Sequence, residues 1–245
     1  MTDAVVPAGE PLSQVERVVD VFIAPSKTFT DILRSTNWLL PFLIMVVFMV
    51  GAAFAIDKKV GFDAVAEQQI AKMPAQAERM EQLPPADRAV QMHARAVGTR
   101  YVTYVFFIFV LAIVAIEALV LWGSFNFGLG AQTKYGQVFA VIMFAGMPRL
   151  FVSSLTMILL YAGVGIDNFD LNNPVGTNIG YFIQDHPALK VAGSFFDVFG
   201  LWSLALLIIG MAIISRKSIG QAATVILGWW ILVLLLSTGF TAAFS

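Results

Sequence analysis

Residues 101–127 read YVTYVFFIFVLAIVAIEALVLWGSFNF, an apolar run long enough to cross the ~30 Å hydrocarbon core of a bilayer as one helix. Four more such runs flank it: Trp38–Ile56 before, and Phe139–Val164, Phe196–Ser215 and Ala222–Phe240 after. Hydrocarbon offers the backbone no hydrogen-bond partners, so crossing segments pair their own polar groups as helices. The pattern predicts an all-α polytopic membrane protein, a five-transmembrane-helix bundle in contact with the lipid bilayer. Composition agrees. Apolar residues make up 58% of the chain and charged residues 13%, against about 25% charged in a soluble domain.

The remaining residues divide the chain into three parts. Residues 1–11 are small, polar and interrupted by Pro and Gly, the composition of a disordered tail. Residues 12–36 form two short amphipathic helices broken at Pro25. In the first, Leu12, Val15, Val18, Val19, Phe22 and Ile23 fall on one face, with Gln14, Glu16, Arg17 and Asp20 on the other. In the second, Phe29, Ile32 and Leu33 oppose Lys27, Asp31 and Arg34. Both are too short to span, and two placements stay open: lying at the headgroup level, or packing on the bundle. Residues 37–245 form the five-span domain. Its largest polar loop, 57–100, is predicted helical in three pieces cut by Pro74 and Pro84–Pro85. The loop is either a helical cap or the surface for a protein partner.

Several functions are excluded at this level. The chain has no cysteine, which removes disulfides, thiolate metal sites and cysteine nucleophiles. A net charge of −1 gives no reason to expect nucleic acid binding. His93 and His186 stand singly in polar loops, and the acids Asp167, Asp170 and Asp185 lack calcium-loop spacing. The segment Gly130–Gly136 lacks the Gly-Lys-Ser/Thr ending of a phosphate loop. No catalytic residues, cofactor or metal are expected, and the chain reads as a non-enzyme. The first 37 residues hold no signal-peptide core, so Trp38 is expected to open a retained span.

Two charges lie inside spans: Glu117 in the second and Arg149 in the third. An unpaired central charge costs about 2.5–3.5 kcal/mol on insertion scales. Each lies ten residues from its end of the short connection between the two spans (Phe127 and Phe139), so they share a depth on antiparallel neighbours. An ion pair is therefore expected, with Pro148 loosening the third span beside it. The pair serves as a structural clasp or as a relay for a proton, ion or substrate. On the fourth span, Gly193, Gly200, Ser203 and Gly210 fall along one stripe of small residues suited to close helix packing.

The run Phe196–Asp197–Val198–Phe199–Gly200–Leu201–Trp202–Ser203–Leu204 enters that span and is followed by the basic turn Arg216–Lys217 and a last helix. Together with Pro25 and Phe29 before the first span, it resembles the bacterial branch of the Yip-domain (Ypt/Rab-interacting) family over roughly Val18–Phe240. The motif residues are Asp197, Phe199, Trp202 and Ser203. The resemblance implies a five-helix membrane domain in the bacterial inner membrane, N-terminus in the cytoplasm and C-terminus outside. The short Arg216–Lys217 turn points to the same orientation. GTPase binding, known in eukaryotic relatives, is not carried over, because their Asp-Leu-Trp/Tyr-Gly-Pro and Gly-Tyr motifs are missing before this first span. The function expected is membrane organisation or partner binding through residues 12–36 and the loop 57–100. The alternative is a small transporter, channel or lipid-moving protein using Glu117 and Arg149.

Overall fold

The computed structural model describes residues 10–183 and 185–244. The expected disordered tail falls mostly on residues 1–9, which lie outside the described residues. The described chain is helical with no named strand; its one β-bridge joins Asn178 and Asp197. Helix α1 (Gln14–Ile23) and α2 (Pro25–Asp31) precede α3 (Leu39–Lys59), the first span. Helices α4 (Phe62–Ala71) and α5 (Pro74–Glu81) fill the polar loop. Then α6 (Pro85–Gly123) runs directly into the membrane and ends in a π-helical turn, Ser124–Gly128. The third span is α7 (Tyr135–Ala145), a 3₁₀ turn (Met147–Arg149) and α8 (Leu150–Tyr161). A short α9 (Pro187–Ser194) precedes the last two spans, α10 (Val198–Ser215) and α11 (Ile219–Phe244). All five expected spans are present as helices long and apolar enough to cross a bilayer.

The prolines set the loop's boundaries. Pro74 and Pro85 each open a helix, where a missing N–H costs nothing because the first turn has no acceptor for it. Pro148 lies inside a span instead, and there the α-helix gives way to the 3₁₀ turn.

The chain packs as two units. One takes in the chain up to Met45, Val110–Arg149, and everything from Thr177 onward. In it α10 is the central element, packed by α2, α7, the 3₁₀ turn and α11. An added Cβ on Gly210 would come within 2.6 Å of Val141 Cγ1 and 2.9 Å of Phe29 Cδ1, so the missing side chain is what lets α2 and α7 close on α10. The other unit comprises Val46–Phe109 and Leu150–Gly176. Its core joins Ala55 and Ile56 of α3, Phe62, Val65 and Ala66 of α4, and Ala96 of α6. Asp57 ties the end of α3 to the middle of α6, accepting from Arg100 Nη2 at 2.8 Å and from the Tyr104 hydroxyl at 3.1 Å. Lys72 pairs with Asp170 at 3.0 Å. In the 57–100 loop, α4 thus buries Val65 in this core and buries Ile70 as well, while most of α5 faces outward.

Candidate functional site

Helix α1 buries a charge beside Val21 and leaves part of its apolar face outside. Ser13 caps α1: Glu16 N–H donates to its hydroxyl at 3.2 Å, and Ser13 N–H donates to Glu16 Oε2 at 2.7 Å. These bonds, the backbone one foremost, hold the Glu16 carboxyl below its ordinary range. One turn on, Arg17 is 2% exposed. Its Nε donates to Asp31 Oδ2 at 2.7 Å and its Nη1 to the Ser35 carbonyl at 2.8 Å. The Thr28 hydroxyl donates to the Arg17 carbonyl at 2.9 Å. Val15, Val19 and Ile23 meanwhile point outward, 65%, 49% and 74% exposed.

This corrects the expected facing of two charges. The amphipathic pattern puts Arg17 and Asp31 on outward polar faces, yet each satisfies the other inside the hairpin, so neither needs water. The signal was available as an Arg and an Asp of opposite charge on two short helices hinged at one proline. Only the geometry of that hinge decides that they meet. Val21, Phe29 and Ile32 supply the apolar side of the same contact and are fully buried.

Glu117 on α6 is half-buried and Arg149, the last residue of the 3₁₀ turn, is exposed. The N and O atoms of the two side chains do not come within the 4.0 Å of a direct salt bridge. The expected ion pair is therefore not made as a direct contact. Its physical reason lies in the break: Arg149 sits on a turn of different pitch, with its side chain exposed. That turn packs on α10. The antiparallel register that sets Val141 beside Gly210 carries Ser203, about 10 Å back along α10, to the level of Pro148. Ser203 is 5% exposed, and its buried hydroxyl has no hydrogen-bond partner among the described residues.

At the head of α10, Asp197 is the N-cap, accepting from Gly200 N–H at 2.7 Å and from the Thr177 hydroxyl. The Val198 N–H donates to the Thr177 carbonyl at 3.0 Å. Asp197 thus starts the helix and clamps the preceding connection to it. Trp202 packs edge-on to Phe22 of α1 at 5.7 Å between ring centres; Phe199 is half-buried. Gly193 lies on α9 rather than on the span, because the chain leaves the helix before Asp197 and begins a new one there. The small-residue stripe of α10 is therefore Gly200, Ser203 and Gly210. Gly193 faces Gly180 backbone to backbone: its added Cβ would lie 2.6 Å from the Gly180 nitrogen.

The connection after α6 is pinned by Asn126, which no motif or charge in the sequence singles out. Asn126 Oδ1 accepts from both the N–H and the hydroxyl of Thr133, at 2.9 and 3.0 Å, and Nδ2 donates to the Thr133 carbonyl at 3.0 Å. Trp122 donates to the same carbonyl at 3.0 Å. These bonds occupy the turn that superficially resembled a phosphate loop.

A capped Asp197 entering a tightly packed fourth span, five spans in all and a two-helix segment before the first are the features to set beside known families. The family model described as Yip1 domain matches residues 19–240. The chain belongs to the Yip1 domain family. The match begins within α1 and ends within α11, so it takes in the latter half of α1 and all of α2 as well as the five spans. No curated protein and no solved structure matches the chain.

Proposed function

We propose that this Yip1-domain protein is non-enzymatic and acts by binding, organising membrane or partner proteins through its N-terminal hairpin and its 57–100 loop. The observation that carries this reading is the outward face of α1. Val15, Val19 and Ile23 are exposed on a helix whose one buried cation is already neutralised by Asp31. Such a face suits the boundary between headgroups and acyl chains. On this reading the protein resides in a bacterial inner membrane with its N-terminus in the cytoplasm. The basic Arg216–Lys217 turn and the resemblance to the bacterial branch support that placement.

The absence of cysteine allows a direct test. A single cysteine at Val19 and another at Glu16, each in the full-length protein in liposomes, are reacted with a water-soluble maleimide. Glu16→Cys should react fast, and Val19→Cys at least tenfold more slowly. Equal rates at the two positions defeat the proposed membrane contact.

A second reading is favoured by the broken third span. Glu117, Arg149 and the unpartnered Ser203 hydroxyl gather polar groups around a turn at membrane depth, and intramembrane ionisable residues commonly mark transport paths. Liposomes holding Glu117→Gln protein should then lose ion or proton flux that wild type supports. The same flux in both, or none in either, leaves the pair a structural feature.

A further inference from the structure

We propose that a groove between the end of α6 and α11 holds one acyl chain of an acidic glycerophospholipid. The groove has a volume of about 460 Å³, within the range of small-ligand sites. Ser124, Gly128 and Leu129 form one wall, and Val225, Gly228, Trp229 and Leu232 the other. Two of these seven are glycines, and a Cβ added to either meets nothing within 4 Å. The hollow exists because side chains are missing there. The Trp229 indole N–H donates to the Ser124 hydroxyl at 2.9 Å, which bridges the walls and satisfies the polar atoms of both residues. What stays open is apolar.

The occupant follows from depth and charge. α11 is the least buried of the spans, 11% of its window, so the groove opens to lipid and a ligand must enter through the bilayer. No charged residue lines it, which favours a hydrocarbon chain over a polar solute. Val225 and Leu232 stand eight and fifteen residues beyond Lys217, about 12 and 22 Å along the helix. That is the depth range of an acyl chain whose phosphate lies at the Arg216–Lys217 turn. Lys134 lies on the same side of the membrane, next to Thr133, which Asn126 pins at the end of α6. Lys134, Arg216 and Lys217 make no ion pair among the described residues, so three cations remain to attract an anionic headgroup.

The test is lipid retention by the purified full-length protein, measured by native mass spectrometry with phosphatidylglycerol and phosphatidylcholine in turn. Wild type should retain phosphatidylglycerol at least tenfold better. Gly228→Leu starts from a Cβ that meets nothing within 4 Å, fills the groove and should cut retention at least tenfold. Arg216→Asn with Lys217→Gln and Lys134→Gln should bring phosphatidylglycerol down to the phosphatidylcholine level; Asn is used because Arg216 has a φ of 55°, which Asn tolerates. Unchanged retention by Gly228→Leu overturns the groove, and equal wild-type retention of the two lipids overturns the acidic headgroup. Should Gly228→Leu not fold, brominated lipids decide. The fluorescence difference between wild type and Trp229→Phe isolates Trp229, and mid-chain brominated phosphatidylglycerol should quench it more than the matching phosphatidylcholine. Equal quenching rejects the proposal.

Discussion

At the scale of single residues, Arg17 shows how a charge can be buried without destabilising its surroundings. It is 2% exposed and its partner Asp31 5%, and the pair is completed by the Ser35 carbonyl. Removing one member of such a pair leaves the other buried and unpaired, which costs about 3–5 kcal/mol, whereas replacing both with apolar residues of similar size is near neutral. Arg17→Met and Asp31→Leu should each lower stability in detergent unfolding by that amount, and the double variant by much less than their sum. Additive losses count against the pair as the hairpin's fastener. Glu16 gives the same helix a pH dependence. Its carboxyl is held low by its bonds with Ser13, so the ionised cap contributes fully above the ordinary Glu range. The contribution falls away as pH drops through the lowered folded value. Amide exchange in Gln14–Ile23 should therefore speed up, relative to α10, only on acidification below that ordinary range. Acceleration that begins near neutral pH points to a different group.

At the scale of elements, the spans and helix starts were legible, while the meetings between helices were not. Five apolar runs and three prolines in the long loop account for the five spans and for α4 and α5, because hydrocarbon and the missing proline N–H are local constraints, while α9 falls outside that pattern. Arg17 and Gly193 were misplaced for a common reason. Whether a polar face turns outward depends on what the next helix offers, and whether a glycine stripe continues depends on where a cap restarts the helix. Asn126 gave no signal of its own, since one amide in a turn-rich stretch is ordinary. Glycine substitutions separate packing from propensity. Gly210→Ala pushes a methyl into Val141 and Phe29, and Gly193→Ala drives one into the Gly180 backbone. Each should cost about 1–3 kcal/mol. At Gly200 the nearest neighbour of an added Cβ is its own cap, Asp197 Cβ, at 3.4 Å. Gly200→Ala should therefore be neutral or slightly stabilising through helix propensity. A thermal-shift series in one detergent checks the ranking. Equal losses at all three positions refute the close approach at Gly210.

At the scale of the whole molecule, an odd number of spans fixes a relation that charge counting alone does not. If each of the five helices long and apolar enough to cross does so, the N-terminal hairpin, the Asn126–Thr133 turn and the Arg216–Lys217 turn are expected on one side of the membrane. The 57–100 loop, the connection before α10 and the C-terminus share the other. The long loop carries many cations, but it also carries acids and folds as α4 and α5. Its mid-loop charges weigh little in setting orientation compared with a two-residue basic turn between spans. The expected result is the N-terminal side facing the cytoplasm. Single cysteines at Ser13, Ser218, Glu78 and Thr241, introduced one at a time into the cysteine-free chain, can be reacted with an impermeant maleimide in intact cells. Glu78→Cys and Thr241→Cys should be labelled from outside; Ser13→Cys and Ser218→Cys should be labelled only after the membrane is opened. The reverse pattern inverts the orientation while keeping five spans. Labelling of Glu78→Cys without Thr241→Cys means that one apolar helix does not cross, and α10 at 18 residues is the shortest of the five.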